Sequence, residues 1–487
     1  EKRAKCWKKA TCGFWTAFVI LLLLGVVIAV PLGVSKGKYK PPPTPLRSAE
    51  PATFVPNSGT LDLYSFPSAI QVTEVDYHSA FISAFVTAPL SLTLHILEAN
   101  GDSGWTETSG TPFKRSLPVN INSFQRAQQQ ITDLKMDTAY NVYFEASNGS
   151  ISEVSRFRTA PYFSQYPRNM TVAATSSFGQ SGYPYSSLNC AAVKQPDVFL
   201  LLGDTTFGTT GETMASRMTS YNRLLSSSGM RALSKSTSFV ATWNDQEVKQ
   251  GWRQNTTNPA DVDGARSALF QSFPYLPGPG GLLDPTQYSN MWRSISYGSN
   301  LEVFVLDLQF ERTTSQLMSD AQFEWLKNGL LTSQSKFKFI MSSIPITDVS
   351  PLLISVPNSW KSAPEAVSQR TQLINHIVNN HITNVLFVSG GAQFGMVSQA
   401  ESTADPKKAP AWSTYNITES IVGPAGTFVN PQVRLNPRLA LASAQFHAII
   451  DSYSTTVYNL DPGTDTIDIE YLDEKCLVAF SESITFG

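Results

Sequence analysis

The sequence predicts an α/β chain in three folded parts: an N-terminal transmembrane helix, a β-sandwich, and a larger layered α/β domain. Three observations predict it. Residues 13–34 run without a charge, long enough for a bilayer that needs about 20 residues. β-Rich runs punctuated by turn signals fill residues 61–160. Beyond Pro161, short apolar runs alternate with helical patterns, which implies a buried sheet covered by helices. At 487 residues the chain exceeds one ordinary domain. Its 42% hydrophobic and 11% aromatic content can build sizeable cores, and its 15% charged content predicts a neutral polar surface.

The elements follow in order. Residues 1–12 read as a cytoplasmic tail and 13–34 as a signal anchor, since the apolar run is longer than the h-region of a cleaved signal peptide. Lys2, Arg3, Lys5, Lys8 and Lys9 precede the run, which places the amino end in the cytoplasm. Four Asn-x-Ser/Thr sequons, at Asn148, Asn169, Asn255 and Asn416, all follow it. The expectation is a single-pass type II membrane glycoprotein with the membrane as one partner and an extracellular or luminal body. Cys6 and Cys12 are either acylation sites or plain thiols. Residues 1–40 hold eight basic residues against one acid, leaving 28 against 37 beyond. An acidic body without a basic stripe argues against nucleic acid as a partner. Residues 35–60 form a Pro-rich tether. Cys190 and Cys476 are free to pair in an oxidising compartment, and the sequence leaves their proximity open.

In residues 61–160, "SAFISAFV", "LSLTLHILEA" and "AYNVYFEAS" are strand-like, and Asn148-Gly149 is a turn signal. The cadence resembles a fibronectin III/Ig-like β-sandwich, with Tyr140 at the corner position. In residues 161–487, "PDVFLLLGD", "STSFVATWND", "LEVFVLDLQ", "KFKFIMSSIP" and "NVLFVSGG" are predicted strands that each empty into a polar or glycine turn. Helices are predicted at "TMASRMTSYNRLLSS", "GARSALFQSF", "SDAQFEWLKNGLLTSQ" and "EAVSQRTQLINHIVNN".

These turns carry a collinear set of motifs: "LLLGD" (200–204), "TWNDQEV" (242–248), a segment ending "VLDLQ" (305–309), "AQFEWL" (321–326), "VLFVSGGAQF" (385–394) and "NPRL" (436–439). From about Phe66 onward the chain resembles the alkaline phosphatase D (PhoD-like) metallophosphoesterase family. The resemblance implies a β-sandwich joined to an αββα metallophosphoesterase domain. It also implies an iron and calcium cluster that activates water against a phosphate ester. Carried over residue by residue, the family's first Asp stands as Asp204. Its ligand Tyr is Phe207, and its Asp-Asp-His is Asn244, Asp245 and Gln246. The phosphate-side Arg is Gln309, Asp-x-His is Gly391 and Gln393, and the last His is Arg438. The early metal-binding Cys falls at Ser176 or Ser177. His78, His95, His376, His381 and His447 lie outside every motif.

The resemblance therefore describes a degenerate member lacking most metal ligands. The first reading is a membrane-anchored extracytoplasmic pseudophosphatase without cofactor, serving as a structural or binding/assembly module with itself or other subunits as partners. One alternative is a divergent calcium-type phosphomono- or diesterase, with Asp204 and Asp245 as the only carboxylates for a hard cation. Another is a glycan- or lipid-binding receptor that reuses the cleft through Asn244, Gln246, Gln309 and Gln393.

Overall fold

The computed structural model describes residues 59–87, 90–99, 114–163, 167–252, 258–276, 291–313, 315–361, 364–400, 417–435 and 445–486, together with residue 56. Two sheets form the larger domain. One has nine strands in the order Val478–Thr485, Thr466–Asp473, Ser454–Asp461, Met170–Thr175, Val198–Leu202, Ser238–Thr242, Gln71–Thr73, Ala80–Phe85 and Arg126–Ile131. The other has seven: Arg293–Tyr297, Leu301–Val305, Phe337–Ser342, Val385–Ser389, Thr418–Ile421, Gly395–Gln399 and Phe446–Ile450.

Strand periodicity explains the layering. Along Val198–Leu202, residues Val198, Leu200 and Leu202 join a core that also holds Val303, Phe339 and Leu386 of the other sheet. Their neighbours Phe199 and Leu201 point the opposite way, into a core with Leu188, Tyr221, Met230 and Leu269 from four helices. Those helices are Ser186–Val193, Met214–Leu225, Ser228–Ser234 and Pro259–Ser272. On the far face Phe304, Ile340 and Phe387 pack against Phe323, Leu326, Leu373 and Ile374 of Asp320–Thr332 and Pro364–Asn379. Because the central strands of each sheet are buried on both faces, they read as unbroken apolar runs. The architecture is helix, sheet, sheet, helix: the αββα domain.

The sandwich lies ahead of it. Its outer sheet orders Thr60–Leu61, Ser150–Ile151, Ala139–Ala146, Leu92–Glu98 and Lys114–Val119, with Ser155–Arg158 also beside Ala139–Ala146. Val72, Ile82, Leu94, Ile96, Val142 and Phe144 share its core. Tyr140 is fully buried and its hydroxyl accepts from the Lys135 N–H at 2.8 Å, as in a tyrosine corner. The inner strands of the sandwich belong to the nine-stranded sheet, because Thr73 registers beside Phe239 in parallel. The two parts are thus fused through one sheet.

Buried polar groups reinforce the joint. Arg293 Nε and Nη2 donate to the Glu74 carboxylate at 2.9 and 2.6 Å, with both side chains under 5% exposed. Arg126, on an inner sandwich strand, donates to Asn222 Oδ1 at 2.6 Å and Ser272 Oγ at 3.3 Å. Its complete burial pushes the guanidinium pKa down to about 9. A disulfide joins Cys190 to Cys476, with Cα atoms 5.0 Å apart.

The membrane topology is corrected here. Among the described residues no helix is long and apolar enough to cross a membrane. Pro364–Asn379, with 16 residues, reaches about 24 Å at 1.5 Å per residue, short of the ~30 Å hydrocarbon core. Residues 1–34, most of the tether, Cys6 and Cys12 lie outside the described residues. The single-pass type II assignment, the signal anchor, the membrane partner and the extracellular or luminal placement are withdrawn with it. Of the sequons, Asn148 and Asn169 are exposed, whereas Asn255 and Asn416 lie outside the described residues.

Candidate functional site

Five parallel strands end on one side of the paired sheets, where ligand sites of α/β domains collect. Val198–Leu202 delivers Gly203 and Asp204, and Ser238–Thr242 delivers Asn244, Asp245 and Gln246. Leu301–Val305 delivers Asp307 and Gln309, Phe337–Ser342 delivers Ser343, and Val385–Ser389 delivers Gly391 and Gln393. Two glycines are required there. Gly203 has φ +82°, and a Cβ on it would sit 2.7 Å from the Asn244 amide nitrogen. Gly391 has φ +73°, and its Cβ would meet Ser343 O at 2.6 Å and Asn244 Nδ2 at 3.0 Å. The small-residue loop is therefore fixed by close packing of three strand ends.

Glu247 organises the turns. Its Oε2 accepts from the backbone N–H groups of Asp204 at 3.1 Å and Asn244 at 2.8 Å. Its Oε1 accepts from Thr205 N at 2.6 Å and Thr205 Oγ1 at 2.7 Å. Asn244 and Glu247 form a capping box on the short helix Asp245–Glu247. The Asn-x-x-Glu spacing was the sequence signal for this role. Asn244 Oδ1 accepts from Gln309 Nε2 at 2.6 Å and Asn358 Nδ2 at 3.3 Å, and Arg312 donates to Asn358 Oδ1 at 2.7 Å. Asn358 and Arg312 had no motif to mark them. Asp307 is structural: its Oδ1 accepts from Trp243 Nε1 at 2.9 Å and from two backbone N–H groups.

Asp204 differs from these satisfied carboxylates. It is 4% exposed; Oδ2 accepts from Ser177 Oγ at 3.3 Å, while Oδ1 makes no well-formed hydrogen bond and the Asn244 side chain is the other polar group acting on the carboxyl. Burial, and then the charges of Asp245 and Glu247, hold its carboxyl well above the usual carboxylate range. Burial also raises Asp245, opposed by the Gly251 N–H, which donates to Oδ2 at 2.5 Å, and by the Arg312 charge. Gln309 Oε1 is likewise buried and unpartnered. Negative charge concentrated in a dry pocket needs a proton or a cation.

Asp204, Asn244, Asp245, Gln246, Gln309, Gly391 and Gln393 all stand at these strand ends. Phe207 is 41% exposed at the mouth of a cleft of about 400 Å³ that Gln246 and Gln393 also line. Arg438 lies outside the described residues. The described histidines are engaged elsewhere, His95 with Glu145, His376 with Lys327 O and His447 with Glu482 among them. Among the described residues no three His, Cys, Asp or Glu side chains form a metal-holding group.

Residues 170–425 match the family described as PhoD-like phosphatase. A solved structure of PhoD covers 88% of this chain and 90% of its own, at 15% identity and a TM-score of 0.67, a likeness of fold. A fibronectin type III domain of human collagen XX aligns over 23% of this chain and 100% of its own at 17% identity, but its TM-score of 0.15 carries no weight. No curated protein matches the sequence.

Proposed function

We propose, from the premise that the chain belongs to the PhoD-like phosphatase family, that it is a divergent calcium-type phosphoesterase acting on phosphomono- or diesters. The observation that carries this reading is the buried Asp204 carboxyl, held beside Asp245 and Glu247 with only the Asn244 side chain and the Ser177 hydroxyl to offset that burial. The membrane anchoring of the pseudophosphatase reading is withdrawn, because among the described residues no helix is long and apolar enough to cross a membrane.

The residues present do not fit an iron-containing cluster. Phe207 offers no oxygen, Gln246 and Gln393 offer amides in place of imidazoles, and the space at Gly391 is closed to a carboxylate. They fit a single hard cation better, because Asp204, Asp245 and Gln309 offer only oxygen, which calcium or magnesium accepts. Such a cation supplies charge that polarises a phosphoryl oxygen and acidifies a nearby water. The chain's own part is to hold that charge in place. Asp204 presents a buried carboxyl that a cation would hold ionised, Glu247 pins the backbone of Asp204 and Asn244, and Gln309 and Asn358 fix the Asn244 amide. The low dielectric around these groups strengthens each interaction with a phosphate ester.

The test is release of phosphate or alcohol from simple phosphomono- and diesters by the full chain, with calcium, magnesium or iron added in turn. Turnover is expected with calcium or magnesium, and Asp204→Asn should lower it about a hundredfold or more, the several kcal/mol that a cation supplies. Turnover that requires iron, or that survives Asp204→Asn, would overturn the assignment.

A further inference from the structure

The cleft lined by Thr205 and Gln246, which follow Asp204 and Asp245 in the chain, differs in chemistry from those carboxylates. Among the described residues lining it, Arg223 is the only charged side chain. Its guanidinium sits 5.4 Å from the centre of the Tyr183 ring, stacked at the surface. Four glutamines line the same space, Gln246 and Gln393 among them. Two large aromatics, Phe207 at 41% and Phe428 at 69% exposure, stand in its wall. Thr427 also lines it, 6% exposed, and its hydroxyl is buried without a hydrogen-bond partner.

Each feature constrains a ligand. A lone arginine on an aromatic face recognises one anionic group, and phosphate suits its planar fork. Open phenylalanine faces attract the C–H face of a ring and gain nothing from an anionic group. Amides and hydroxyls both donate and accept, which matches hydroxyl groups, and the unsatisfied Thr427 hydroxyl is a standing demand for such a partner. The absence of carboxylates from this lining disfavours a cationic ligand. At about 400 Å³ the space holds one ring with its substituents.

We infer that this cleft is a subsite for a phosphorylated sugar. The pyranose ring lies against Phe207 and Phe428, its hydroxyls meet Gln246, Gln393 and Thr427, and its negative charge faces Arg223. The inference deepens the phosphoesterase reading by naming the class of ester, and it rests on that reading for the phosphate. Gln246 and Asp245 are adjacent in the chain, as are Thr205 and Asp204. The cleft is thus lined by residues that directly follow the proposed cation-binding carboxylates in the chain.

The test separates the two ideas because it reads binding without turnover. Isothermal calorimetry of the full chain in excess chelator uses glucose 6-phosphate as probe, with glucose, inorganic phosphate and adenosine monophosphate as comparisons. Glucose 6-phosphate is expected to bind about tenfold or more tighter than either glucose or inorganic phosphate. Phe207→Ala and Phe428→Ala should each weaken it several-fold, and Arg223→Gln should reduce it to the affinity of glucose. Phe207, Phe428 and Arg223 are exposed, so these changes leave the cores intact. Equal binding of inorganic phosphate, indifference to Phe207→Ala and Phe428→Ala, or a preference for adenosine monophosphate would each overturn the sugar assignment. Loss of turnover under all metals, with sugar-phosphate binding retained, would instead count against the phosphoesterase reading alone.

Discussion

Reduction of the Cys190–Cys476 disulfide, or Cys476→Ser, is expected to lower the stability of the chain by about 2–5 kcal/mol. The bond closes a loop with a sequence separation of 286 residues. The chain-entropy relation assigns such a loop about 6 kcal/mol, an upper figure because disulfides often deliver less. It ties the helix Ser186–Val193 to the turn between Thr466–Asp473 and Val478–Thr485, the edge hairpin of the nine-stranded sheet. Lys194 and Glu470 make a second, weaker clasp at 2.8 Å across the same seam. Urea melts with and without reductant read the effect directly. An unchanged midpoint would mean that the hairpin and helix hold without the covalent tie.

The second large effect is expected at the joint between sandwich and αββα domain. Glu74→Gln leaves the Arg293 guanidinium buried without its counter-charge, and breaking one side of such a pair costs about 3–5 kcal/mol. The geometry supports the upper part of that range. Two donor atoms of Arg293 engage the carboxylate, and a third donates to Met291 O at 2.8 Å, so the guanidinium cannot turn out to water. The double variant Glu74→Gln/Arg293→Met removes both charges and is expected to be much less destabilised than Glu74→Gln alone. Equal losses in the single and double variants would show that the pair acts by packing and not by charge compensation.

Much of the αββα domain was legible because its strands are buried on both faces. The five apolar runs after Pro161 correspond to Val198–Leu202, Ser238–Thr242, Leu301–Val305, Phe337–Ser342 and Val385–Ser389. The amphipathic patterns likewise match Met214–Leu225, Asp320–Thr332 and Pro364–Asn379 within a residue or two. Ser186–Val193 was not foreseen, since "SSLNCAAV" is small and nearly uniform around its axis and carries no periodic stripe. The fusion of the sandwich to the nine-stranded sheet was also invisible. It rests on the register of Thr73 beside Phe239, a tertiary event that local pattern does not encode.

At the site, sequence located the strand ends but not how their side chains are satisfied. Asp204, Asp245 and Glu247 look alike in sequence. Only their hydrogen bonds distinguish Glu247, which meets three backbone N–H groups and a hydroxyl, from Asp204, whose Oδ1 meets none. Arg223, Thr427 and Phe428 converge on the cleft from distant segments without any motif.

The most direct measurement is a calcium titration of the full chain by isothermal calorimetry, beside the Asp204→Asn variant and an elemental analysis for iron. The account predicts one calcium bound per wild-type chain, binding lost in Asp204→Asn, and no stoichiometric iron. Failure of the wild type to bind calcium, calcium binding unaltered by Asp204→Asn, or iron at one equivalent or more would contradict it.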